Sequence, residues 1–171
     1  VDGGNISGSN TPTLSINPTI PNDSATDYYC IVSNGCNPDA TTINATLIVN
    51  EEPTIFDQII TICSEETFVI SPINGDPDVT TIVPSNTTYS WSAPIVTGGI
   101  TGGTAQSGES QISDTLINPT DSVQTATYTV TPTSGTSGSC VGNSFTVVVT
   151  VNPKPYSINV IDYVCSEENF N

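Results

Sequence analysis

The sequence predicts an all-β fold, arranged as a tandem array of two-sheet sandwich modules, on two observations. Its apolar residues are mostly Val, Ile and Tyr set among Thr, Ser and Asn and punctuated by 13 Gly and 13 Pro, a mixture that favours short strands and turns over helices. A stretch of the chain also returns at a fixed spacing, the mark of repeated units. Ile62-Cys63-Ser64-Glu65-Glu66-Thr67-Phe68 comes back as Val164-Cys165-Ser166-Glu167-Glu168-Asn169-Phe170, an offset of 165 − 63 = 102 residues.

Two further matches keep that spacing. Thr46 to Pro53 (TLIVNEEP) corresponds to Val148 to Pro155 (VVTVNPKP), which sets Asn50 over Asn152 and Pro53 over Pro155; Ser15 to Thr19 (SINPT) resembles Leu116 to Thr120 (LINPT) at 101. The parsing follows from the matches. Residues 1–52 are expected to be the C-terminal part of one module, 53–153 a complete module and 154–171 the first strand of the next, so that the chain reads as cut from something longer. A repeat of about 100 residues with many short strands has the size of an immunoglobulin-like sandwich.

Within the complete module, strands are expected in order near Thr54 to Ile62, Thr67 to Ser71, Thr87 to Ser92, Ser110 to Ile117, Ala126 to Thr133 and Phe145 to Asn152. Alternation is clearest in Ala126 to Thr133, where Tyr128 and Val130 face one side and Thr127, Thr129 and Thr131 the other. Trp91, the only Trp, sits in Tyr89-Ser90-Trp91-Ser92 and is expected in the core. Thr97 to Gly108 carries five Gly. Without a strand-to-helix context or a following Lys it is not a phosphate loop; it reads as a mobile loop or an edge hairpin, and as one of the few places a ligand could touch.

Charge excludes more than it suggests. Against 17 Asp plus Glu there is one Lys, no Arg and no His, a net charge of −16. Phosphate-backbone binding needs clustered cations, so nucleic acid is excluded as a partner and anionic membrane surfaces are disfavoured. No stretch approaches the roughly 20 apolar residues that span a bilayer, so no direct membrane insertion is expected. Enzymatic function is not expected either. There is no acid–base His and no anion-binding Arg, and the lone Lys154 sits between prolines. The carboxylates of Asn74-Gly75-Asp76-Pro77-Asp78 have the composition of a turn. No cofactor and no catalytic residue is assigned. Asp76 and Asp78, with Glu65 or Glu66, are the weak candidates for calcium, without the ligand spacing of any calcium loop.

Five cysteines in such a chain suggest disulfides formed outside the cytoplasm. Inside the complete module only Cys63 and Cys140 are available, so these are expected to pair and to staple the first strand to the loop before the last. Cys165 and Cys36 are then expected to find partners beyond the two ends. Cys30, in Asp27-Tyr28-Tyr29-Cys30, resembles the start of an immunoglobulin F strand and would bridge to a missing strand; a Cys30–Cys36 hairpin bridge is the alternative. No zinc pattern fits, for want of His and of any Cys-x2-Cys pair.

Cys63-Ser64-Glu65-Glu66-Thr67-Phe68, Thr88-Tyr89-Ser90-Trp91-Ser92, Ala126 to Pro132 (ATYTVTP), Cys140-Val141-Gly142-Asn143 and Val149 to Pro155 (VTVNPKP) together resemble the PKD-like repeats of giant Bacteroidota surface proteins, above all the SprB-type gliding-motility adhesins. The resemblance covers residues 53–171; residues 1–52 look like a different immunoglobulin-like repeat. It implies tandem immunoglobulin-like (PKD-like) β-sandwich modules in an elongated array. It further implies export by the type IX secretion system and display at the outer membrane, with neighbouring repeats, the secretion and gliding machinery, and an external surface or polysaccharide as partners. It also implies O-glycosylation at Asp-Ser/Thr-apolar triplets, which here offer Ser24, Thr115 and Ser122. The function expected is a stalk repeat of a large secreted adhesin. The alternative is a ligand- or glycan-binding adhesive module that uses the Gly-rich stretch.

Overall fold

Alternation of buried and exposed side chains decides the architecture of the computed structural model, which describes residues 2–33, 35, 38–135 and 138–155. Six short strands come first: β1 (Ile6–Ser7), β2 (Ser15–Ile16), β3 (Ala25–Tyr28), β4 (Ile31–Val32), β5 (Ala40–Thr41) and β6 (Ala45–Leu47). They pair antiparallel as β1–β2, β3–β6 and β4–β5. Eight follow: β7 (Gln58–Cys63), β8 (Thr67–Ile70), β9 (Thr88–Trp91), β10 (Ile95–Val96), β11 (Gln106–Glu109), β12 (Ile112–Thr115), β13 (Gln124–Thr133) and β14 (Phe145–Asn152). Among the described residues no α-helix forms.

The larger sheet runs β11-β9-β13-β14-β7, with β10 added beside β13; β12 and β8 make the facing pair. In β14, Phe145, Val147, Val149 and Val151 are buried and the residues between them only half-buried, the period-2 pattern of a strand with one face in a core. In β13, Ala126, Tyr128, Val130 and Pro132 do the same. Phe68 and Ile112 close the other side, and the Phe68 ring meets Tyr128 edge-on at 5.5 Å between centroids and 61° between planes, one of the contacts between the two sheets. Trp91 is buried as expected and donates its indole N–H to the Thr104 carbonyl at 3.0 Å. All fifteen buried apolar residues of this core lie between Ile55 and Val151.

The expected strands are found with small changes of extent. The first is shorter, beginning at Gln58, although Thr54 makes an isolated bridge to Ile82. The Gly-rich stretch does not form the expected hairpin: it crosses from β10, which pairs with β13, to β11, which pairs with β9. Thr101 exchanges backbone hydrogen bonds with Ile117, Thr97 and Thr104 bond to Thr125 and Asp114, Ile100 is buried, and β11 extends the sheet beside β9. Gly102 is needed there: its φ is +100°, and a Cβ would stand 2.1 Å from the Thr115 carbonyl oxygen.

The Cys63–Cys140 staple is not formed; both are free thiols. The reason is the direction of β7. It runs parallel to β14, with Val147 beside Gln58 and Asn152 beside Cys63, so Cys63 lies at the far end of the last strand. Cys140 lies at its near end, hydrogen-bonded to Ser134, with Val141 bridged to Thr133. Strands of this length rise about 3.3 Å per residue, which separates the two thiols far beyond the roughly 4.4–6.8 Å between Cα atoms that a disulfide allows. Cys30 is also free and exposed, and Cys36, Cys165 and the first strand expected after Pro155 lie outside the described residues. Tyr28, two residues before Cys30, donates its hydroxyl to the Asp23 carbonyl at 2.9 Å.

Burial pushes the Tyr89 hydroxyl up to about 12. Burial, and then the Asp114 carboxylate 3.3 Å away, raise that of Tyr128 further. Both phenols are therefore held neutral in the folded chain. Their contribution to stability is complete below the unfolded tyrosine value of about 10 and is lost as pH rises through the folded values. Chemical unfolding followed against pH is expected to show a level midpoint up to about pH 9.5 and a fall above about pH 10. A midpoint at about pH 11 equal to that at neutral pH would refute the placement of these two rings.

Candidate functional site

The recurring Cys-Ser-Glu-Glu stretch forms the tight turn between β7 and β8, and each of its residues has a structural task. Glu66 accepts the Cys63 backbone N–H with Oε2 at 2.9 Å, and its own N–H bonds back to the Cys63 carbonyl. Glu65 takes φ +72°, donates its N–H to the Leu116 carbonyl and pairs with Lys154 at 2.6 Å. Ser64 is buried: its N–H reaches the Asn152 carbonyl, and its hydroxyl accepts from the Asn118 N–H at 2.9 Å.

Asn118 is the centre of this end of the sandwich. Its buried amide donates to the Ser122 carbonyl at 2.8 Å and the Val151 carbonyl at 3.0 Å, while Oδ1 accepts from the N–H and hydroxyl of Thr120. Every polar atom of the side chain is thus satisfied, which is what a buried amide requires. One side chain ties together the loop after β12, the end of β14 and, through Ser64, the β7–β8 turn. The knot sits at the exit of the chain, since Asn152-Pro153-Lys154 is where the backbone leaves the core.

Beside this knot, Asn118, Pro119, Thr120, Asp121 and Lys154 border an open hollow of about 490 Å³. Trp91, Gln106, Glu109 and Ser113 border another of about 120 Å³. Neither has the enclosed, largely apolar walls of a small-molecule pocket. The Gly-rich stretch is tied at Thr97, Thr101 and Thr104 and exposes Gly98, Gly99 and Gly102 between them.

The residues singled out from sequence are scattered. Asp78 turns its Oδ1 onto the N–H and hydroxyl of Thr80, both at 2.8 Å, and these bonds lower its carboxyl below the usual aspartate range. Asp76 lies in the same exposed turn, whose Gly75 and Thr81 are hydrogen-bonded close to the Thr54–Ile82 bridge. That is the opposite end of the sandwich from Glu65 and Glu66, so the four carboxylates do not converge. Among the described residues no three acidic or thiol side chains gather as a metal would need. Ser24, Thr115 and Ser122 are all exposed. Ser24 holds the Val49 N–H at 2.9 Å and Thr115 shares a 2.6 Å bond with Thr67 in the β8–β12 pair, whereas Ser122 only accepts from Gln124 at 3.3 Å.

Ser64, Asn118 and Lys154 were not singled out from sequence. The signal was present: Ser64 belongs to the 102-residue recurrence and Asn118 stands where Asn17 stands in SINPT. A family model described as a PKD-like domain matches residues 60–155, more than half of the chain. No curated protein and no solved structure matches it.

Asn118→Ala is expected to cost about 2–3 kcal/mol, because it removes the buried amide's bonds to the Ser122 and Val151 carbonyls and those it accepts from Thr120. The melting temperature should fall by roughly 10 °C or more. Lys154→Ala, which removes an ion pair whose side chains are 65 % and 55 % exposed, should shift stability by less than about 0.5 kcal/mol. Thermal melts of the two variants check this, and a larger loss from Lys154→Ala would move the centre of this end from the amide to the ion pair. Melting with calcium and with chelator is expected to coincide; a rise with calcium would reinstate Asp76 and Asp78 as ligands.

Proposed function

Because the chain belongs to the PKD-like domain family, we propose that it is a structural repeat segment, the stalk, of a very large secreted cell-surface adhesin that supports gliding motility and surface adhesion. PKD-like domains are extracellular or surface-exposed, adhesion-type repeat modules, and are generally non-catalytic. No helix among the described residues is long and apolar enough to cross a membrane.

One observation carries the reading. The first copy of the stretch that recurs after 102 residues packs at a single end of the sandwich, where Asn152, Pro153 and Lys154 lead in sequence towards the second copy. A motif spent on fastening the exit strand is what a chain of modules repeats. Residues 53–153 are on this reading one repeat, 1–52 the end of an unlike immunoglobulin-like neighbour and 154–171 the start of the next. Export by type IX secretion, display at the outer membrane and contact with a polysaccharide or other surface through other parts of the protein belong to the same proposal. They rest on the resemblance of the quoted motifs to gliding-motility adhesins. The ties of the Gly-rich stretch at Thr97, Thr101 and Thr104 support a structural role.

Small-angle scattering from a chain carrying several successive repeats tests it. A rod is expected that lengthens by roughly 35 Å per repeat, about the span of a ten-residue strand such as β13 at 3.3 Å per residue. A globule whose maximum dimension grows much more slowly would sink the stalk.

A further inference from the structure

The two thiols that do not meet inside the repeat stand beside the same residue of the repeat. Cys63 is the parallel-sheet partner of Asn152, and the Asn152 carbonyl accepts the N–H of the next residue, Ser64, at 2.9 Å. Residues in register on neighbouring strands share a face. Ile62 and Val151 are buried, so Cys63 and Asn152 both point outward. At the other end of the sandwich the Cys140 thiol lies 3.9 Å from the carbonyl oxygen of Asn50, and a Cβ built on Gly138 would stand 2.8 Å from the Asn50 amide nitrogen. Asn50 and Asn152 are equivalent in the repeat, 152 − 50 = 102 residues apart, the same offset that relates Cys63 to Cys165.

Superposing the equivalence gives the junction. Where one repeat follows another, the shared asparagine is flanked on one side by Cys63 of the repeat it leaves and on the other by the Cys140 counterpart of the repeat it enters. We propose that these two cysteines form a disulfide across the junction, locking each repeat to the next. The proposal rests on the tandem-repeat reading above. It explains why a repeat carries one thiol at each end, where a bond within the repeat is impossible. Cys63 is exposed and Cys140 partly so, as exchange requires. Closure removes two protons and two electrons from the pair of thiols; a small-molecule or protein disulfide accepts them and is reduced to two thiols. The bridge would fasten covalently a junction whose linkers are Glu51-Glu52-Pro53 and Pro153-Lys154-Pro155.

The full chain extended after Asn171 by a copy of residues 70–155 completes the repeat that opens at Lys154 and tests the bridge. The original Cys140 is replaced by Ser, so that only the appended copy carries that cysteine. After equilibration with oxidised glutathione and blocking of remaining thiols, non-reducing peptide mapping is expected to find Cys63 linked to the appended copy of Cys140 within a monomer, with the loss of two titratable thiols. In the converse chain, with the original Cys140 kept and the appended copy changed to Ser, Cys63 is expected to stay open to blocking. Cys63 left open in the first chain, Cys63 linked to Cys165, a bridge between two chains, or a Cys63–Cys140 bond in the converse chain would each overturn the proposal. Where mapping finds no bridge, scattering from the same chain separates the two readings: a rod overturns the junction disulfide alone, whereas a globule overturns the stalk as well.

Discussion

The parallel pairing of β7 with β14 is the constraint on which the rest depends. Had the first strand run antiparallel to the last, the chain would enter and leave the core at one end. Parallel pairing carries it in at the Thr54 end and out at Asn152, beside Cys63. A core so built has its two connections at opposite poles, and copies joined through them extend in a line. The same constraint sets Cys63 and Cys140 apart, and it places the Ser64–Asn118 knot at the exit, where a turn, a loop and the last strand must be held in one register.

Much of the fold was legible. Val-rich alternation gave the last two strands almost to the residue, because one fully buried face imposes period 2 on the sequence. The core itself runs from Ile55 to Val151. What escaped was non-local or too short. β10 has two residues and β11 (QSGE) has no apolar one, so neither carries a pattern. Strand direction leaves no trace in local periodicity, and the misplaced disulfide is the direct result: pairing by elimination assumed that the first strand and the loop before the last share an end. The site was legible as recurrence and not as chemistry. Ser64 and Asn118 are ordinary residues in the text, and only the depth at which the fold buries them makes their bonds matter.

Charge takes its place within this frame. The lone cation, Lys154, is paired with Glu65, and a net charge of −16 repels neighbouring chains. Sheet edges need that protection, since an open edge recruits further strands. β11, one edge, is exposed throughout, carries Glu109, and is broken in register between Gln106 and Glu109 with Gly108 at φ +74°. A bulged, acidic edge pairs poorly with a second copy. Side-to-side association is thereby opposed while end-to-end succession is left to the covalent chain.

A stalk must also bear tension, and the same strand pair decides how it does so. A pull applied through the chain at both poles acts along β7 and β14 in opposite directions, sliding one past the other. Six registered residue pairs, Val147–Gln58 to Asn152–Cys63, then resist together, because in shear no single hydrogen bond can open ahead of its neighbours. Val147, Val149 and Val151 are fully buried, with Ile62 nearly so, so the slide also drags apolar surface out of the core. Strength at the poles depends on whether the turn after β7 and the exit of β14 remain attached as the load arrives. Ser64, bonded at once to Asn152 and Asn118, fastens them at the point where the force enters.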